Sequence, residues 1–424
     1  MAIEAYKHDM LRCTRCSYCK WIPWENFRNT DFIKGCPSVS RYHWHAYSAG
    51  GKFNMALSFL EGRIGYSDSF LDVVYKCHMD GSCDVSCKSV QDIEPLQLMQ
   101  ELRIKCVEDG QVIPAHAAVI DGLRKEDNML GKPRSERGKW AEGLAVKDLT
   151  REKAKVLYHA GCQYSYDEEL WPVVRDGLTL LKDAGVDVGI MGHAEMCCGG
   201  RAYELGYKDD LDKYAARHAN IVKASGVETI VTPCAHCYQT MKVNYDKIGK
   251  KLGVEILHIT EYLDRLIKEG RIKLNKKVPL KVTYHDPCHL GRLAEPWVHW
   301  DGKETKVLGQ MIVHDPPKKF RRGAGGVYDI PRDIIRNIPG LSFVEMYRIR
   351  ACGWCCGGGG GVKEAYPDFA IWTARERIRE ARAVGADAIV SACPSCKQMF
   401  QEAIKETGDD VKVLDIIELV QQSV

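Results

Sequence analysis

Ten of the nineteen cysteines fall into two copies of one pattern. The first copy is Cys162, then Cys197-Cys198-Gly199-Gly200, then Cys234-Ala235-His236-Cys237. The second is Cys288, then Cys355-Cys356-Gly357-Gly358, then Cys393-Pro394-Ser395-Cys396. Between the cysteine pair and the CxxC motif lie 35 residues in the first copy and 36 in the second. The lone cysteines share a local frame, Tyr158-His159-Ala160-Gly161-Cys162 against Tyr284-His285-Asp286-Pro287-Cys288. Soft thiolates select zinc or iron–sulfur clusters. A structural zinc takes four ligands in a compact arrangement, whereas each copy offers five thiols, two of them adjacent. That surplus favours an extended iron–sulfur cluster over one zinc ion or a simple cubane. The internal repeat makes the C-terminal two thirds one metal-binding unit used twice.

A different cysteine pattern occupies the N-terminal residues. Cys13-x2-Cys16-x2-Cys19 is followed by Cys36-Pro37, and the matching half runs from Cys77 through Asp80 and Cys83 to Cys87. This is the spacing of a two-cluster ferredoxin, in which the distant cysteine of each half ligates the other half's cluster. The expected ligands are Cys13, Cys16, Cys19 and Cys87 for one [4Fe–4S] cluster, and Cys36, Cys77 and Cys83 for the second. Asp80 stands where the second cluster's fourth thiolate belongs, so that cluster is either Asp-ligated or a [3Fe–4S] form. The alternative is that Asp80 caps a turn before Gly81 while water or hydroxide completes the iron. Lys88 follows Cys87 where a proline is usual. Cys106, on a helical pattern, reads as a small core residue, and Cys352 as a packed thiol.

These donors need elements to position them. Apolar residues at three- and four-residue steps predict helices over FNMALSFLEGRI and, with Pro95 in the first turn, over LQLMQELRIKCVEDG. Residues 1–108 are thus a helical ferredoxin-like domain and 109–150 a helical linker. Residues 151–275 and 276–424 each alternate short apolar strands with helices, the pattern of a parallel α/β unit. In such units ligands gather at the carboxyl ends of strands, where the cysteines are expected. The glycines after each cysteine pair would let backbone approach a cluster closely. The second copy carries an insertion at 297–340, containing Lys318-Lys319-Phe320-Arg321-Arg322. Its basic cluster reads either as a solvated loop or as a docking surface for an acidic partner or cofactor.

The net charge of +3 argues for neither nucleic acid nor membrane as a partner. No apolar run is long enough to span a bilayer, and the polar N-terminus does not read as a signal peptide. Clustered thiols then mean metal or redox chemistry in a reducing cytoplasm. No G-x-G-x-x-G follows a predicted strand, so a flavin is expected on another subunit.

The paired Cys-Cys-Gly and CxxC motifs resemble those of the CCG-domain family, typified by the B and D subunits of heterodisulfide reductase. The segment PRDIIRNIPG and the run Cys356–Gly361 resemble the branch that fuses a two-cluster ferredoxin to two CCG domains. The resemblance implies one noncubane [4Fe–4S] cluster per CCG unit. Its ligands would be Cys162, Cys197, Cys198, Cys234 and Cys237 in the first, and Cys288, Cys355, Cys356, Cys393 and Cys396 in the second. It implies an iron–sulfur electron-transfer subunit of an anaerobic oxidoreductase complex, cytoplasmic, with any membrane association made through partners. Those partners would be a flavoprotein or a further iron–sulfur protein. Accessory members of the family serve benzoyl-CoA-reduction and sulfite-reduction systems. One alternative is a catalytic disulfide reductase; a second is a zinc-stapled interaction protein. Among the histidines, His159 and His285 read as hydrogen-bonded core groups. His236 and His289 could tune a cluster, and His289 could deliver a proton to a leaving thiolate.

Overall fold

The computed structural model describes residues 2–298, 300–308 and 311–424. The N-terminal part is helical. Its helices include Pro37–Tyr42, Ala49–Leu60, Asp68–Tyr75, Ser82–Cys87 and Pro95–Glu108. Ser48 caps the second by accepting from the Gly51 N–H, and Pro95 sits in the first turn of the last, where a missing N–H costs nothing. These helices close on Phe53, Leu57, Phe70, Val74, Leu98 and Leu102, with Cys106 fully buried among them as a core thiol.

Two sheets follow, with every neighbouring pair of strands parallel. The first is built from β1 (Lys147–Asp148), β2 (Val156–Tyr158), β3 (Val188–Ile190), β4 (Thr229–Thr232) and β5 (Glu255–His258), in the order β1-β3-β2-β4-β5. The second is built from β6 (Lys281–Tyr284), β9 (Ser342–Phe343), β10 (Ala388–Ser391) and β11 (Lys412–Asp415), in the order β11-β10-β6-β9. The chain is therefore a mixed helix-and-sheet protein with two α/β units after a helical N-terminal domain. Strands buried on both faces explain the continuous apolar runs IVT and AIV. The repeat extends past the cysteines: β5 and β11 each end in a capping box, His258 with Glu261 and Asp415 with Glu418.

Two elements were not legible in the sequence. Edge strand β1 arises inside the 109–150 segment by pairing with Gly189 and Ile190. In the insertion, an antiparallel hairpin of β7 (Lys303–Val307) with β8 (Met311–Asp315) precedes the helix Asp329–Asn337. The β7 residues are all exposed, so no buried face imposes an apolar alternation on KETKV. Among the described residues no helix is long and apolar enough to cross a membrane.

Three parts of the chain meet at one residue. Arg103, fully buried, donates to five backbone carbonyls: Glu204, Gly360, Val74, Tyr75 and Cys77. It thus ties the helical domain to both α/β units. The glycine run after Cys356 makes this possible. A Cβ at Gly360 would collide with the Cys77 carbonyl oxygen, and one at Gly361 would collide with Leu205 Cδ2. Both have positive φ, so only glycine fits without strain. The close approach permitted by these two glycines is to protein groups of the neighbouring domains.

Candidate metal centres

Every cysteine in the chain is free, and most lie in tight groups. Cys13, Cys16, Cys19 and Cys87 line one small cavity, with Ala49, Gly50 and Phe53. Cys16 is exposed and Cys19 buried. Burial pushes the Cys19 thiol up, while the N–H groups of Gly50 and Ala49, at the start of the Ala49–Leu60 helix, favour its thiolate. A second group holds Cys36, Cys77, Cys83 and Asp80, close enough to perturb one another. Burial pushes Cys36 up to about 12, opposed by the ammonium of Lys52, a lysine only 2% exposed.

Asp80 is itself buried, and both its carboxylate oxygens have partners. Oδ1 accepts from the Ser82 N–H at 3.2 Å, and Oδ2 accepts from Arg292 Nη2 at 2.9 Å. Arg292 also donates through Nε to the Asp80 carbonyl and through Nη1 to the carbonyls of Ala351 and Gly353. The guanidinium therefore joins the second cysteine group to the loop that leads into Cys355. Cys352, nearby, packs with Ile22 and Val85 in an apolar cluster.

In the first α/β unit, thiol contacts run from Cys162 to Cys197, to Cys198, to Cys237 and to Cys234. In the second they run from Cys355 to Cys356, to Cys396 and to Cys393, with Cys288 beside Cys355. The two series join, because Cys234 and Cys393 lie close enough to perturb one another. Each lone cysteine or pair follows the end of a strand, β2, β3, β4, β6, β9 or β10. Thiols in direct contact cannot all ionise in a buried site. Contacts from Cys197 and Cys237 hold Cys198 low, those from Cys355 and Cys396 hold Cys356 low, and their partners Cys237 and Cys396 are driven up. A soft polynuclear cation would remove that conflict, so the donor set fits an iron–sulfur cluster in each unit.

The two lone cysteines have different neighbours. Both terminal nitrogens of Arg137, which is fully buried, lie 3.7 Å from Cys162 Sγ. Glu195 holds that guanidinium at 3.0 Å and also accepts from the N–H groups of Ala160 and Gly161. Cys288 Sγ instead faces His289 Nδ1 at 3.3 Å, and His289 Nε2 lies 2.9 Å from Glu204 Oε1. Burial opposes a charge on His289, but Cys288 and Glu204 outweigh it and raise its pKa. Arg201 holds the other Glu204 oxygen at 2.6 Å. His236 packs against His289 with ring centroids 4.3 Å apart and the rings tilted by 38°. His289 also opens into a cavity lined by Arg292, Lys247, Arg321 and Trp297.

His285 accepts from Arg377 Nε at 3.1 Å, and a ring nitrogen of His285 lies within 4.8 Å of the Cys356 and Cys396 sulfurs. His159 is buried against His218. Sequence reasoning missed Lys52, Arg137, Glu195, Glu204 and Arg292. Glu195 and Arg292 carried a weak signal, lying two residues before Cys197 and four after Cys288. Lys52, Arg137 and Glu204 carried none.

The cysteine-rich (CCG) domain family matches residues 156–242 and 282–401. The chain is 30% identical over 421 residues to the D subunit of the dihydromethanophenazine:CoB–CoM heterodisulfide reductase of Methanosarcina mazei, covering 97% of this chain and 93% of that one. It is 28% identical to the probable iron–sulfur-binding oxidoreductase FadF of Bacillus subtilis, covering 95% of this chain and 53% of that one. A crystal structure of a hypothetical protein from Helicobacter pylori shares the fold, with a TM-score of 0.51 at 10% identity over 89% of this chain and 67% of that one. The chain belongs to the CCG-domain family of iron–sulfur oxidoreductase subunits that includes the D subunit of heterodisulfide reductase.

Proposed function

We propose that the chain is the electron-transfer subunit of an anaerobic oxidoreductase complex, with two ferredoxin-type clusters and two noncubane [4Fe–4S] clusters. Cys13, Cys16, Cys19 and Cys87 would hold the first, and Cys36, Cys77 and Cys83 the second. The two CCG sets, five cysteines each, would hold the others. Clusters of these types supply one-electron redox chemistry when bound. The observation that carries the reading is the contact of Cys234 with Cys393, which sets the two CCG donor groups side by side. The chain's own residues divide the labour. Arg137 keeps a permanent positive charge against Cys162 and favours its thiolate. His289, held by Glu204, can hold a proton at Nδ1 facing Cys288.

That His289 arrangement, open to a cavity, favours a second reading in which the chain itself reduces a disulfide. The proposed partners are a flavoprotein or another iron–sulfur protein, and the proposed location is the cytoplasm. The test is anaerobic purification with partners retained, followed by disulfide turnover by the isolated, chemically reduced chain. Redox-active iron without turnover supports the relay; sustained turnover transfers the activity to this chain. Zinc in place of iron and sulfide would end both readings.

For the second ferredoxin-type cluster we propose Asp80 as a labile fourth ligand, competing with Arg292 for the same carboxylate. A carboxylate is a harder ligand than thiolate. Mild oxidation of the wild type is therefore expected to release one iron and give a three-iron paramagnetic signal. Asp80→Cys should retain all four irons through the same oxidation. Absence of the three-iron signal in the wild type, with unchanged potentials in the variant, would leave Asp80 as the turn cap and Arg292 partner.

A further inference from the structure

The insertion reaches across to the N-terminal cysteines. A groove is lined by Arg12, Val90, Gln91, His314, Phe320 and Arg322, so it joins the helical domain to β8 and to the basic loop behind it. Val90 and Gln91 also line the cavity of Cys13, Cys16, Cys19 and Cys87. Gln91 donates to Thr14 Oγ1 at 3.3 Å, which ties the groove wall to the cysteine loop. The basic loop is anchored rather than free: Lys318 pairs with Asp92 at 3.0 Å, and Arg321 donates to the Glu295 carbonyl at 2.8 Å. Between and beyond these anchors, Lys319 and Arg322 are exposed and without an ion pair among the described residues. Arg15, between Cys13 and Cys16, is likewise exposed and donates to the neutral Asn54. The groove lining also carries exposed apolar groups, Val90 at 55% and Phe320 at 41%.

We infer that this groove is the docking face for an acidic one-electron carrier protein, which would exchange electrons through the cysteine group containing the exposed Cys16. The inference rests on the relay reading above. Exposed apolar groups flanked by cations that have no ion pair, one of them Arg322 over the Phe320 ring, complement an acidic protein face with apolar groups of its own. Such cations steer encounter and make it salt-dependent. The position also suits the chemistry, since Cys16 is the exposed member of its group and Val90 and Gln91 connect it to the groove. The insertion is therefore a recognition element contributed by the second CCG unit to the first ferredoxin-type site.

The probe is an acidic two-cluster ferredoxin, measured for binding to the full metal-loaded chain at low and high salt. Wild type should bind with an affinity that falls about tenfold or more as salt rises. K319E/R322E should lose about tenfold or more in affinity at low salt and most of the salt dependence. The same variant should be reduced more slowly by the reduced ferredoxin and at the wild-type rate by dithionite. Should the reversed loop fail to fold, Lys319→Gln with Arg322→Gln reads the same loss at smaller size. Equal low-salt affinity of wild type and variant overturns the proposal. So does a variant that loses binding to anionic-lipid vesicles while keeping the ferredoxin, which would make the groove a membrane face. A chain without iron would instead refute the relay reading, while the salt-dependent binding still judges the surface.

Discussion

Arg103→Met is expected to destabilise the protein by about 4 kcal/mol or more, the upper end for a single substitution. Arg103 makes five hydrogen bonds to carbonyls, four of them buried and that of Cys77 partly buried, on three separate stretches, residues 74–77, Glu204 and Gly360. Methionine fills similar space and donates nothing. Each orphaned carbonyl costs about 1–3 kcal/mol before relaxation, and relaxation is limited because the glycines that bring Gly360 and Gly361 so close leave no slack. Arg103→Lys should rescue little, since one ammonium cannot reproduce the fork that spans these carbonyls. Thermal unfolding of the metal-loaded chain is the measurement, with a fall in apparent midpoint of about 5 °C expected. The transition should also become less cooperative, because the helical domain would separate from the α/β units. A variant that unfolds within about 2 °C of wild type and in one step would show that the carbonyls find other donors.

The second large effect concerns the paired cysteines. Under the proposed ligand sets, anaerobic protein should carry about sixteen irons per chain, four for each of four clusters. Cys198→Ala and Cys356→Ala should each lose about four irons and one noncubane paramagnetic signal, leaving the ferredoxin-type signals in place. Cys198 and Cys356 occupy equivalent places, each the thiol held low between its pair partner and the last cysteine of its CxxC motif. Removing either takes out the link between the other thiols of its unit. Because Cys234 touches Cys393, the surviving CCG signal should shift in each variant, where isolated sites would leave it unchanged. Iron analysis with electron paramagnetic resonance checks both points. Loss of all clusters together would refute the proposed division into independent ligand sets.

Much of this protein could be read from its residues because its information is local. Cysteines three apart must lie within one turn, so Cys13 with Cys16, Cys234 with Cys237 and Cys393 with Cys396 declare themselves as groups without any fold. Buried parallel strands advertise themselves as apolar runs, and Cys162, Cys234, Cys288 and Cys393 lie just beyond them. The alternation that located β2, β4, β6 and β10 therefore located the donors too. The repeat supplied the rest, since one unit read twice corroborates itself.

What surrounds those donors was decided by tertiary structure. Arg137 is 25 residues from Cys162, Glu204 is 85 from His289, and Arg292 is 212 from Asp80. No local period connects them. A buried charge reveals itself only when the partner that offsets its desolvation is in place. The hairpin of β7 and β8 was silent because an exposed two-stranded ribbon needs no apolar face. The contact between Cys234 and Cys393 was silent because a repeat implies two equal units, not which edges meet. Residue type and spacing thus determined what the chain can bind. The packing of three parts around Arg103 and Glu204 determined which groups stand beside each thiol, because electrostatics acts through space while sequence records only order along the chain.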